Sequence, residues 1–135
     1  MKDEQLRSLG LKVTLPRMKI LQILEKKRDS HLSADDIFAL LRSEGEEVGV
    51  ATVYRVLTQF EEAGLVIRHN FEGGYSVYEL NEGEHHDHIV CVKCGNVTEF
   101  VDDLIETRQE DIAKEKGFQL TDHSLVIYGI CKNCQ

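Results

Sequence analysis

The sequence predicts an α+β fold in two parts: a helical N-terminal part closed by a hairpin, and a small C-terminal part that mixes one helix with short strands. Three observations carry this prediction. Up to about residue 64, apolar residues recur at helical spacing between start and stop signals. Residues 65–80, LVIRHNFEGGYSVYEL, then set two β-prone runs on either side of Glu72-Gly73-Gly74. Beyond residue 84 the apolar runs shorten, and histidines, carboxylates and all four cysteines crowd in.

Thr14 ahead of Leu15-Pro16 reads as a helix start, with Pro16 in the first turn, where its missing N–H costs nothing. The run RMKILQILEK places Ile20, Leu21, Ile23 and Leu24 on an apolar face. Ser33 with Asp36 resembles a capping box, with aspartate as the shorter partner. Ile37, Phe38, Leu40 and Leu41 follow as the buried face of a second helix, which Gly45 stops.

The third helix, GVATVYRVLTQFEEAG (49–64), is the informative one. Val53, Val56, Leu57 and Phe60 make one apolar stripe. Ala51, Thr52, Tyr54, Arg55, Thr58 and Gln59 are left facing out. Positions 51, 54, 55 and 58 form a second stripe without an acid, offering a methyl, a ring, a guanidinium and a hydroxyl. Gly64 ends the helix in the left-handed position. Three helices and a hairpin are the layout of a winged helix-turn-helix, whose third helix enters the DNA major groove.

Residues 81–84, NEGE, read as a short hinge. IVCVKCGNVTEFV predicts two strands around a CxxCG turn. DDLIETRQEDIAKEKG predicts a helix with Asp102 and Asp103 in its first turn and Gly117 at its end. Ile105, Ile112, Leu104 and Ala113 are expected to face a core. FQLTDHSLVIYGIC reads as a strand with Phe118, Leu120, Leu125, Ile127 and Ile130 as its apolar positions. One helix and three strands in about 50 residues is a thin core, which calls for a metal, a partner subunit or both.

Charge narrows the function classes. The net charge of −8 argues against nucleic acid as a partner of the whole surface. Its distribution is uneven, however: residues 1–28 hold eight Lys/Arg against three acids, and residues 84–135 hold five basic against ten acidic residues. On charge alone the basic start reads as a solvated helix face. Nothing approaches the roughly 18 consecutive apolar residues of a membrane span. The opening MKDEQLRSLG lacks a secretory apolar stretch, so a cytoplasmic protein is expected. There, cysteines serve as metal ligands or redox centres more often than as disulfides.

The cysteines form two C-x2-C pairs, Cys91/Cys94 and Cys131/Cys134, separated by 36 residues. Two-residue spacing lets two thiolates bind one ion from a tight knuckle, and four thiolates make a closed structural zinc site. Redox dithiols are the rival reading. The stretch EHHDH (84–88) behaves differently. If residues 85–91 are extended, His86 and His88 point one way and His85 and Asp87 the other. One strand then offers half-sites to two ions, with partners to be drawn from His31, His69, His123, Glu79, Glu99 and Glu106. A solvated polar cluster is the alternative.

GLKVTLPR (10–17), GVATVYRVLTQFEEAGLVIRHNFEGG (49–74), EHHDHIVCVKCG (84–95) and the last CxxC together resemble the ferric uptake regulator (Fur) family of bacterial metal-responsive repressors, its iron-sensing branch most closely. The resemblance covers nearly the whole chain. It implies a winged-helix DNA-binding domain at 1–80, a hinge at 81–84 and a small α/β metal-binding dimerisation domain at 85–135. It further implies a structural Zn2+ on Cys91, Cys94, Cys131 and Cys134, and a regulatory Fe2+ on His31, Glu79, His86, His88 and Glu99, for which Mn2+, Co2+ or Zn2+ can substitute. A second site would use His85, Asp87, Glu106 and His123, leaving His69 as a hairpin residue. Where this chain has Glu99, the peroxide-sensing branch has an aspartate pattern, which favours iron sensing.

The implied function is a homodimer, or a higher oligomer, that binds double-stranded operator DNA, expected to be an AT-rich palindrome. It would bind when loaded with Fe2+ and so repress iron-acquisition genes. Lys12, Ala51, Thr52, Tyr54, Arg55 and Thr58 are the expected DNA contacts. The alternatives are a sister sensor of zinc, manganese or peroxide, a metalloenzyme, and a metal-buffering or protein-docking module. No residue pattern suggests a dedicated nucleophile or substrate pocket, so no enzyme activity is expected.

Overall fold

The computed structural model describes residues 2–28, 30–82 and 85–135. Residues 83 and 84, half of the expected hinge, lie outside that set. The chain divides into two compact units, Met1–Glu82 and Gly83–Gln135.

The first unit holds four helices and a hairpin. Helix α1 (Lys2–Ser8) was not foreseen from the sequence. Leu6 anchors it, fully buried in the core, and a single apolar residue gives no periodicity to read. Helix α2 (Leu15–Lys26) starts as expected, with the Thr14 hydroxyl accepting the Arg17 N–H. Helix α3 (Ala34–Ser43) carries the full capping box: Ser33 and Asp36 each accept the other's backbone N–H, at 3.0 Å. Helix α4 (Val50–Glu62) buries Val53, Val56, Leu57 and Phe60, the stripe read from the sequence. Ile37 and Leu41 of α3 are fully buried against them, whereas Phe38 and Leu40 are only half-buried. The Arg42 guanidinium covers the Phe38 ring, 5.7 Å from its centroid.

Strands β1 (Val66–Phe71) and β2 (Tyr75–Leu80) pair antiparallel, from Val66 opposite Leu80 to Phe71 opposite Tyr75. Gly73 and Gly74 make the turn, both at positive φ (98° and 77°), which side chains resist. Leu32 adds a bridge to the free edge of β2: its N–H donates to the Tyr78 carbonyl, and the Tyr78 N–H donates back at 2.7 Å. That bridge sets His31 beside Glu79.

The second unit is a three-stranded sheet in the order β4-β3-β5, with one helix. Strand β3 (Asp87–Cys91) pairs antiparallel with β4 (Val97–Phe100) and parallel with β5 (Val126–Gly129). Helix α5 (Asp103–Glu115) begins one residue later than expected, because Asp102 is its cap and accepts the N–H groups of Leu104 and Ile105. A 3-10 turn, Lys132–Cys134, follows β5.

Two expectations fail here. The strand read over 118–131 covers only Val126–Gly129, since the preceding segment finds no ladder partner among the described residues. And α5 buries none of its residues: Leu104 is 79% exposed, Ile112 is exposed, and Ile105 and Ala113 are half-buried. The apolar pattern is present, but this chain alone does not cover it.

Candidate metal centres and nucleic-acid interface

Sheet register brings the two cysteine pairs together. Cys91 ends β3 opposite Gly129 of β5, so the parallel pairing delivers Cys131 to the same end of the sheet. The first knuckle closes through the Gly95 N–H, which donates to the Cys91 carbonyl at 2.9 Å, with Gly95 at φ 78°. All four sulfurs lie within 4.8 Å of one another. Cys91 Sγ accepts the backbone N–H of Cys131 at 3.3 Å and of Cys94 at 3.5 Å. These donors, Cys131 first, draw its pKa from 9.0 down to about 6, against the effect of burial. Cys134 moves the other way, up to about 12, chiefly through its hydrogen bonds to the sulfurs of Cys131 and Cys94. Sulfurs this close cannot all be anionic unless a cation neutralises them, and zinc ligands must be deprotonated. The donor set therefore fits a tetrahedral thiolate ion such as Zn2+.

A second cluster joins β3, α5 and the segment before β5. His85 Nε2 lies 3.1 Å from Asp87 Oδ1 and 3.6 Å from Glu106 Oε1. His123 Nε2 lies 3.2 Å from Glu106 Oε2. Glu106 reaches the cluster because it sits in the first turn of α5, where the helix dipole tolerates an acid. Asp87 is fully buried, and its Oδ2 has no hydrogen-bond partner among the described residues. A buried carboxylate oxygen without a partner is costly. Two imidazoles and two carboxylates around it fit a divalent cation with N/O preference.

On the opposite face of β3, His88 stands directly across from Glu99 of β4. The His86 ring lies 4.9 Å from that of His88, and His86 Nε2 is 3.1 Å from Glu99 Oε1. In the first unit, the Leu32–Tyr78 bridge places His31 Nε2 3.2 Å from Glu79 Oε2. The Glu79 carboxylate is buried there, with its other oxygen 2.8 Å from His69 Nε2. Sequence reasoning left His69 aside. The signal was in the register: Glu79 pairs with Ile67, which makes His69 its diagonal neighbour on the same face.

The outward stripe of α4 is where the sequence put it. Ala51, Tyr54, Arg55 and Thr58 are exposed, and Thr52 is half-buried. The Thr58 hydroxyl donates to the Tyr54 carbonyl at 3.0 Å, so its methyl and lone pairs are what it can present. The stripe contains no acid, but α3 supplies one beside it: the Asp35 carboxylate holds the Tyr54 phenol above its usual pKa. Lys12 is exposed between half-buried Leu11 and Val13. Among the described residues, no helix is long and apolar enough to cross a membrane.

A winged helix coupled in sequence to a unit built around thiolates, imidazoles and carboxylates defines a metal-binding transcription regulator. The chain belongs to the Ferric uptake regulator family, whose pattern matches residues 8–128. It is 65% identical over 133 residues to the ferric uptake regulation protein of Legionella pneumophila, covering 98% of both chains. Its fold matches the crystal structure of the Vibrio cholerae ferric uptake regulator with a TM-score of 0.92 at 54% identity, over 97% of this chain and 100% of that one. The ferric uptake regulator of Francisella tularensis, solved with iron, matches with a TM-score of 0.89 at 50% identity, over 93% and 95%.

Proposed function

We propose that this chain is an iron-responsive repressor that acts in the cytoplasm as a dimer on AT-rich palindromic operators and catalyses no reaction. The observation that carries the reading is strand β3, whose two faces and C-terminal end feed three ligand clusters of different chemistry. Cys91, Cys94, Cys131 and Cys134 would hold a structural Zn2+. His86, His88 and Glu99, joined by His31 and Glu79, would hold the regulatory Fe2+. His85, Asp87, Glu106 and His123 would hold an accessory ion. The relatives' names and the iron in the Francisella structure support iron as the signal.

Fe2+, if held by His31, Glu79, His86, His88 and Glu99, would supply coordination bonds to ligands from both sides of residues 81–84. Glu79 lies on β2, to which the Leu32–Tyr78 bridge ties His31, while His88 lies on β3 with His86 just ahead of it. Sharing one ion would therefore restrict the orientations open to the winged helix. A dimer restricted in this way favours one spacing of its two α4 helices, matched to a palindrome. Tyr54 would touch a thymine methyl, and Arg55 a base edge or phosphate. Ala51, Thr52 and Thr58 would flank them, with Lys12 reaching the minor groove or backbone. The exposed apolar residues of the second unit, Leu104 and Phe118 among them, would be covered by a second copy.

The metal can shift the equilibrium only by its differential affinity for the closed form, and such couplings are about 1–3 kcal/mol. The test is operator affinity under anaerobic conditions, with and without Fe2+, for wild type, Glu79→Ala and His88→Ala. The metal dependence should shrink in both variants while zinc stays bound. Wild-type binding that is equally tight without any divalent ion at the regulatory site rules out the switch. Metal content after anaerobic purification separates an iron sensor from a zinc or manganese one.

A further inference from the structure

Three hydrogen bonds from one guanidinium join two parts of the first unit that the sequence leaves separate. Arg17 Nη1 donates to the backbone carbonyl of Lys12 at 2.7 Å. Its Nη2 and Nε both donate to Gln59 Oε1, at 2.9 and 3.3 Å. The first acceptor lies in residues 11–14, which have no regular structure. The second lies on α4, one turn beyond Arg55. Leu11 and Val13 pack partly into the core, which turns Lys12 outward but leaves its carbonyl to find a partner elsewhere.

We propose that Arg17 is a positioning residue: it clips the Lys12 segment to α4, so that Lys12 and the Tyr54/Arg55 stripe meet DNA as one preset surface. The inference rests on the DNA-binding reading above. The geometry separates it from the simpler idea that Arg17 touches a phosphate itself. Arg17 is half-buried, and its Nε, Nη1 and Nη2 already donate within the protein. Only a planar fork can reach two acceptors lying in different directions; a lysine ammonium keeps the charge but not the fork. With the clip in place, Lys12 loses little freedom on binding, and ordering costs of that kind are what preorganisation removes. Without it, part of the Lys12 contribution is spent on ordering the segment.

The experiment measures affinity for a duplex selected from random sequence by the wild-type, Mn2+-loaded protein, as a function of salt. The variants are Lys12→Ala, Arg17→Lys, Gln59→Met, Arg55→Ala and the Lys12→Ala/Arg17→Lys pair. Arg17→Lys should weaken binding about fivefold despite its retained charge, and Gln59→Met should match it by removing the shared acceptor. The double variant should bind about as weakly as the worse single one, because the two substitutions remove the same contribution. Wild-type affinity in Arg17→Lys, or losses that multiply in the double variant, overturns the clip. So does a loss that merely follows the melting temperature across Arg17→Lys and Gln59→Met. If Lys12→Ala and Arg55→Ala leave affinity unchanged, the DNA-binding surface itself is wrong and the clip falls with it. If those two weaken binding and Arg17→Lys does not, only the clip fails.

Discussion

Among the described residues up to Glu82, eight side chains are completely buried and all are apolar: Leu6, Ile20, Leu21, Ile37, Leu41, Val53, Leu57 and Phe60. In the second unit the best-buried side chains are Asp87, Val90, His88 and Cys91, three of which are ligand types. Many of its large apolar residues instead stand in solvent, Leu104 at 79% and Phe118 at 70% exposure. The first unit thus has a hydrocarbon core sufficient to specify itself. The second places charge and thiol where hydrocarbon would go, and its stability depends on what it binds. The contrast shows that burial has to be read with its chemistry, because a buried Asp87 is a debt until a cation or partner meets it.

The largest effect should come from the thiolates. Cys91→Ser is expected to lose the zinc and the folded second unit, since binding energy at such a site is folding energy. Hydrogen exchange should then show protection retained in α2–α4 and lost in β3–β5. A variant with normal melting and full protection there breaks the comparison. Next is Phe60→Ala, which should cost about 3–5 kcal/mol in denaturant unfolding of the first unit while zinc content stays unchanged. A loss of zinc on that substitution would mean the units do not fold separately. Smaller in folding terms is Leu104→Glu. At this exposed position it should alter the stability of the single chain by no more than about 0.5 kcal/mol. It should nevertheless shift sedimentation from dimer to monomer, and an unchanged dimer would assign the apolar face to something other than a second copy. One further substitution sharpens the contrast: Asp36→Ala, which removes only the reciprocal half of the α3 capping box, should lower first-unit stability by about 0.3 kcal/mol and leave zinc content and the dimer unchanged.

The same contrast governs what could be read in advance. In the first unit the periodicity of 20–24, 37–41 and 53–60 was sufficient, because a self-contained core leaves its spacing in the sequence. The outward stripe of α4 followed as its complement. Helix α1 was invisible because Leu6 is the one apolar residue in its span, which leaves no spacing to read. In the second unit the alternation of His85 to His88 was legible from the two-residue period of a strand, but the cover for Leu104 and Ile112 was not, since the pattern says which residues are apolar and not which molecule buries them. Contacts that depend on tertiary placement also escaped: His69 on Glu79 through strand register, Asp35 beside Tyr54, and the Arg17 clip between Lys12 and Gln59.

Strand β3 has a consequence for how such a protein can change over generations. The strand and the two residues before it address three ligand clusters by position alone: His85 and Asp87 belong to one, His86 and His88 to another, and Cys91, at the strand's end, to the third. One residue inserted between His88 and Cys91 would put every ligand on one side of it out of step with those on the other. Divergence along this strand is therefore confined to substitution at fixed addresses. A lineage can exchange the atom offered to an ion, as at Glu99 opposite His88, but it cannot slide the array without corrupting all three readings at once.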